Sequence, residues 1–119
     1  MALISTSQLA SRLGDPKLRI LDARWYLDPG RKGLDAYSAG HIRGAFFADI
    51  ENDFAGPGGR RGGPLGRHPF PSPTQVQNVI RLYGITPGVK VVVYDDAAGA
   101  IASRVWFVLK ANGFDDCDV

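Results

Sequence analysis

Soft or readily coordinating side chains are scarce in these 119 residues: one cysteine (Cys117), one methionine and two histidines, His41 and His68. A single cysteine excludes an internal disulfide and any multi-thiolate metal site. Two histidines leave a zinc site dependent on carboxylates for completion, so no metal is expected. No apolar stretch approaches the length needed to span a bilayer. The first residues, Met1 to Thr6, lack a basic cluster followed by an apolar run, so no export signal is expected and the cytoplasm is the expected location. Charge of one sign is also missing. Fourteen Lys and Arg against 12 Asp and Glu leave +2, too even a balance to argue for nucleic acid or an anionic membrane.

What the chain does have is 45% hydrophobic residues and 22% charged ones, a composition that folds. Its length predicts one domain over 1–119. Ser5-Thr6-Ser7-Gln8 reads as a capping box opening a short helix with Leu9 and Leu13 on one face, stopped by Gly14. Leu18 to Ala23 suits a buried parallel strand. Tyr26 to Gly33 reads as a loop, Leu34 to Ala39 as a helical turn closed by Gly40, and Ala45 to Ala48 as a short strand. Ser72-Pro73 opens a helix whose Val76, Val79, Ile80 and Tyr83 form a core-facing stripe. Val89 to Tyr94 is the strongest strand. Ala100 to Asn112 is a second good helix, with Ile101, Val105, Val108 and Leu109 on its apolar side, and Asp116 to Val119 begins a last strand.

Between them, Gly56 to Pro73 holds six Gly, five Pro and three Arg and is expected to lack regular structure. Its Gly58-Gly59-Arg60-Arg61-Gly62-Gly63 run follows no strong strand, so it does not fit a phosphate-binding strand-loop-helix, and a surface or cleft-edge loop is the expectation. Strands alternating with helices predict an α/β domain with a parallel sheet covered on both faces. Sites in such sheets gather at the carboxyl ends of the strands, where Asp22-Ala23-Arg24-Trp25 and Asp95-Asp96-Ala97-Ala98 are expected to meet. Acidic residues ending two strands also bring an aspartyl-phosphate receiver to mind, but no lysine follows Lys110 to complete one.

Four stretches in order, Ile20-Leu21-Asp22-Ala23-Arg24-Trp25-Tyr26, Tyr37-Ser38-Ala39-Gly40-His41-Ile42-Arg43-Gly44-Ala45, Val91-Val92-Val93-Tyr94-Asp95 and Arg104-Val105-Trp106-Phe107, resemble the rhodanese family of sulfurtransferases. In particular they resemble the amino-terminal, cysteine-less domain of tandem thiosulfate or 3-mercaptopyruvate sulfurtransferases. The resemblance implies a parallel five-stranded sheet with helices on both faces, the last strand and helix being truncated here. It also implies that the chain is the amino-terminal half of a longer protein. In that family the sulfur-carrying cysteine directly follows the strand matching Val91–Tyr94, in a loop whose backbone N–H groups stabilise a thiolate and a persulfide.

Asp95 stands at that position. A carboxylate cannot carry sulfur, but it can occupy the same anion cradle and cap the following helix. The resemblance therefore implies no catalytic residue in this chain and no cofactor. It implies a second rhodanese domain supplying the cysteine, and small sulfur-containing anions as ligands of the pair. A stand-alone inactive module that binds a protein partner is the alternative. The cleft candidates are Trp25, His41, Asp95, Asp96, Ile101 and Arg104. His41 either borders the cleft or satisfies local backbone, and Arg43 replaces the proline usual two residues later. Ile101 stands where relatives often carry a bulky aromatic. Arg104 opens a helix, where a cation calls for a carboxylate, and Asp22, Asp95 or Asp96 is the expected partner. Asp22 is expected to hold loops together through backbone N–H groups, and Cys117 to be a buried, inert thiol.

Overall fold

The structure, a computed structural model, describes residues 3–59 and 62–119. The chain runs α1 (Thr6–Ala10), β1 (Leu18–Asp22), α2 (Gly33–Ala39), β2 (Phe46–Phe47), α3 (Pro73–Leu82), β3 (Lys90–Tyr94), α4 (Ala102–Ala111) and β4 (Cys117–Asp118). The strands form one sheet in the order β2-β1-β3-β4, and every pairing is parallel. The expected sheet had five strands. Four form among the described residues, one within each of the four segments expected to be strands.

Both faces of the sheet are covered, and alternation along the strands divides the side chains between them. Leu18, Ile20 and Val92 join Leu9 of α1 in a smaller cluster. Leu21, Val91, Val93 and Cys117 face the main core, which takes Val76 and Val79 from α3 and Val105, Val108 and Leu109 from α4. Ser5 caps α1 through the Gln8 N–H, and the Gln8 side chain returns to the Ser5 N–H at 2.9 Å. Ser72 caps α3 through Gln75 N. Each cap satisfies orphan donors of a first turn and is local in sequence, which is why both were legible.

Two departures have physical causes. Helix α4 begins at Ala102 rather than Ala100, because Ile101 N and Ala102 N both donate to the Asp95 carboxylate. The chain bends around that side chain before it can helix. Strand β2 is also shorter than expected. Its outer edge is closed by tyrosines: Tyr37 donates its hydroxyl to Ala45 O at 2.7 Å, and the Tyr83 hydroxyl lies 2.9 Å from Phe47 O. The Ala45 carbonyl, which would otherwise invite another strand, is thereby occupied.

Candidate functional site

Strands β1 and β3 run side by side from Leu18↔Lys90 to Asp22↔Tyr94, so their carboxyl ends deliver two loops to one place. Asp22 is fully buried at that edge. Arg24 folds back on it, with Nη2 2.7 Å from Oδ2, while Arg24 N donates to Oδ1 and the Tyr94 hydroxyl to Oδ2. Hydrogen bonding to Asp22 raises the Arg24 pKa, and burial above all pushes the Tyr94 hydroxyl up to about 12. Asp22 thus ties both loops together and is fully engaged in doing so.

The loop after β3 wraps around Asp95. One carboxylate oxygen accepts N–H bonds from Ala97 at 2.9 Å and Gly99 at 2.8 Å. The other accepts from Ile101 and Ala102, both at 2.7 Å. Four amide dipoles and the start of α4 converge on one anion. Burial opposes ionisation of this carboxyl, but the four donors together prevail and hold it below the usual carboxylate value. Ala98 and Gly99 adopt positive φ, at 54° and 84°, to turn the amides inward. The arrangement is a cradle for a small anion, and the chain's own carboxylate fills it.

The remaining candidates divide. Asp96 accepts the Tyr26 hydroxyl at 2.8 Å, joining the β1 and β3 loops and raising the Tyr26 pKa. Trp25 donates from Nε1 to Glu51 at 3.1 Å and meets His68 edge to face, with ring centroids 5.2 Å apart. Its indole is held by the 56–73 loop and the turn before it. Ile101 is partly buried against the main core. His41 lies between Gly40, whose carbonyl accepts from Arg24 Nη2, and Ile42, whose N–H donates to the Tyr94 hydroxyl. Its ring stacks on Tyr37 at 3.8 Å and its Nδ1 donates to Tyr37 O at 2.7 Å, so it serves the backbone of α2.

Arg104 corrects the sequence reading. No carboxylate faces it. Its Nε donates to Phe54 O at 2.9 Å, and Nη2 donates to His68 O at 2.5 Å and Pro69 O at 3.0 Å. A fork of donors suits three convergent carbonyls as well as it suits a carboxylate, and the candidates Asp22, Asp95 and Asp96 are committed elsewhere. Burial without a counter-charge lowers the Arg104 pKa. The Gly- and Pro-rich loop is therefore pinned to α4 rather than free. Arg60 and Arg61 of its basic run lie outside the described residues.

Glu51 and His68 were missed as neighbours of the site. His68 Nε2 lies 3.6 Å from Glu51 Oε1, beside Trp25. Nothing in the local sequence signals this, because a long irregular loop brings His68 there. Cys117 sits on β4 inside the core, 1% exposed, with burial raising its thiol pKa to about 12. Such a thiol is a poor nucleophile at neutral pH. No cluster of metal-ligating side chains occurs among the described residues. No described helix is long and apolar enough to cross a membrane.

The structure defines a parallel α/β domain with an amide-lined seat for a carboxylate between a strand and a helix start. The chain belongs to the rhodanese-like domain family, whose model matches residues 5–119. It is 41% identical to a Pseudomonas aeruginosa protein named "Probable 3-mercaptopyruvate sulfurtransferase" over 96% of this chain and 39% of that one. It is 36% identical to the thiosulfate sulfurtransferase of Bos taurus, over 94% of this chain and 38% of that one. The structure of SseA, a 3-mercaptopyruvate sulfotransferase from Escherichia coli, superposes with a TM-score of 0.85 at 28% identity, over 99% of this chain and 44% of that one. The chain thus spans well under half the length of these relatives.

Proposed function

We propose that this chain is the non-catalytic rhodanese half of a sulfurtransferase that moves sulfane sulfur from thiosulfate or 3-mercaptopyruvate to a thiophilic acceptor. The observation that carries the reading is the Asp95 carboxylate, held by four backbone N–H groups where the family places its nucleophile. Its relatives are named for that chemistry and are more than twice as long. In the proposed reaction the thiolate of a cysteine on a second rhodanese domain attacks the donor's outer sulfur. With thiosulfate the S–S bond breaks and its electron pair leaves with sulfite. The cysteine persulfide then yields its outer sulfur to the acceptor and returns to thiolate. This half contributes a cleft wall and a rigid edge, with Trp25, Asp96 and the loop pinned by Arg104 facing the second domain.

The test uses the full chain. Thiosulfate and cyanide should yield no thiocyanate above the uncatalysed rate. The Asp95→Cys variant should place a thiol among the same amides, titrating below the ordinary cysteine value of about 8.5. Turnover by the unaltered chain that disappears in Cys117→Ser would overturn the proposal, as would an Asp95→Cys thiol with an unshifted or raised pKa.

A further inference from the structure

At the opposite end of the sheet, where the strands begin, three arginines line one groove of about 440 Å³: Arg19, Arg43 and Arg81. Arg19 is locked in place. Its Nε donates to Tyr83 O at 3.0 Å, and its Nη1 donates to Pro16 O and Leu18 O at 2.9 and 3.0 Å. All three acceptors are neutral carbonyls, so the charge is oriented but not cancelled. Gly84, at φ +67°, makes room for it, since a Cβ there would stand 3.3 Å from the guanidinium. The sole acidic side chain on the groove, Asp15, is already paired with Arg12 at 3.1 Å. Arg43 and Arg81 are exposed, and no carboxylate pairs with them among the described residues.

The same groove presents apolar surface. Phe46 is 40% exposed and Leu82 72% exposed. Gly14, Gly44 and Gly84, all of positive φ, leave its walls low. On the β2 edge nearby, the Tyr37 hydroxyl already donates to Ala45 O. Three uncompensated guanidiniums beside two exposed apolar side chains complement a ligand that is both anionic and apolar.

We infer that this groove is a docking site for a short acidic peptide segment of a partner protein, its carboxylates on Arg19, Arg43 and Arg81 and an apolar side chain against Phe46 and Leu82. The site is separate from the Asp95 cradle and does not rest on the sulfurtransferase reading.

The probe is a fluorescein-labelled peptide of alternating Glu and Leu or Phe, titrated with the full chain and followed by anisotropy. Binding should weaken steeply as salt rises. The double variant Arg43→Glu/Arg81→Glu should bind at least about tenfold more weakly. Both positions are exposed, so circular dichroism should show that variant folded. A control peptide with Ser in place of Leu and Phe should bind at least about fivefold more weakly. Equal binding by the Ser peptide, or displacement by tripolyphosphate at lower concentration than by unlabelled peptide, would overturn the assignment in favour of a plain anion site. An undiminished affinity of the double variant would overturn the groove itself.

Discussion

Asp95 accepts four N–H bonds with its two oxygens, a load that an amide cannot carry without a donor facing a donor. Asp95→Asn removes the charge and turns an amide NH2 toward backbone donors. Loss of the cap and of charge-assisted bonds should cost about 1–3 kcal/mol, measurable by urea unfolding at neutral pH. The sign of its pH dependence follows from the lowered folded pKa. Unfolded chains take up a proton at Asp95 near the ordinary value of about 4, before folded chains do. The contribution is therefore complete above that value and is lost as pH falls through the folded one. Unfolding curves for the native chain and Asp95→Ala should accordingly converge on acidification below about pH 4. Cys117 makes a complementary expectation. With its thiol buried and its pKa raised to about 12, it should react with a disulfide reagent only on unfolding, at a rate that rises with urea.

At the scale of elements, Arg104 joins α4 to the Gly- and Pro-rich loop through the carbonyls of Phe54, His68 and Pro69. Arg104→Met keeps the stem but abandons three acceptors. It should cost about 2 kcal/mol or more and open the loop to trypsin at Arg67, seen as faster nicking by mass spectrometry. Arg104→Lys should rescue only part of this, since an ammonium lacks the planar fork. The tyrosine-closed edge of β2 yields a further expectation. Tyr83→Phe leaves Phe47 O without its hydroxyl partner and frees Asp53, whose carboxyl lies 2.8 Å from the same hydroxyl. The variant should be about 1 kcal/mol less stable, read from its urea midpoint.

For the molecule as a whole, the parallel α/β architecture was legible because its signals are local. Ser5 and Ser72 announce helix starts, the apolar run before Tyr94 announces a central strand, and Gly84 and Gly113 mark ends. The seat around Asp95 was legible through the resemblance and the strand-loop-helix pattern together. Contacts made across long stretches of chain were not. The fork of Arg104 closes on residues 35 to 50 positions away, and general electrostatics pointed instead to a carboxylate. His68 reaches Trp25 through a loop without periodicity, and the tyrosine guards of β2 come from separate helical segments. The groove of three arginines was equally hidden, since Arg19, Arg43 and Arg81 belong to different elements and are joined by packing alone.

The carboxylate seated among the amides has one more consequence. Oxidants and alkylating agents disarm an exposed thiolate, yet they find nothing to attack at Asp95, and the chain's sole thiol is enclosed in the core. Peroxide or iodoacetamide should leave the folded chain's mass unchanged at these two positions, so this domain would keep its shape under stress that disarms an exposed thiolate.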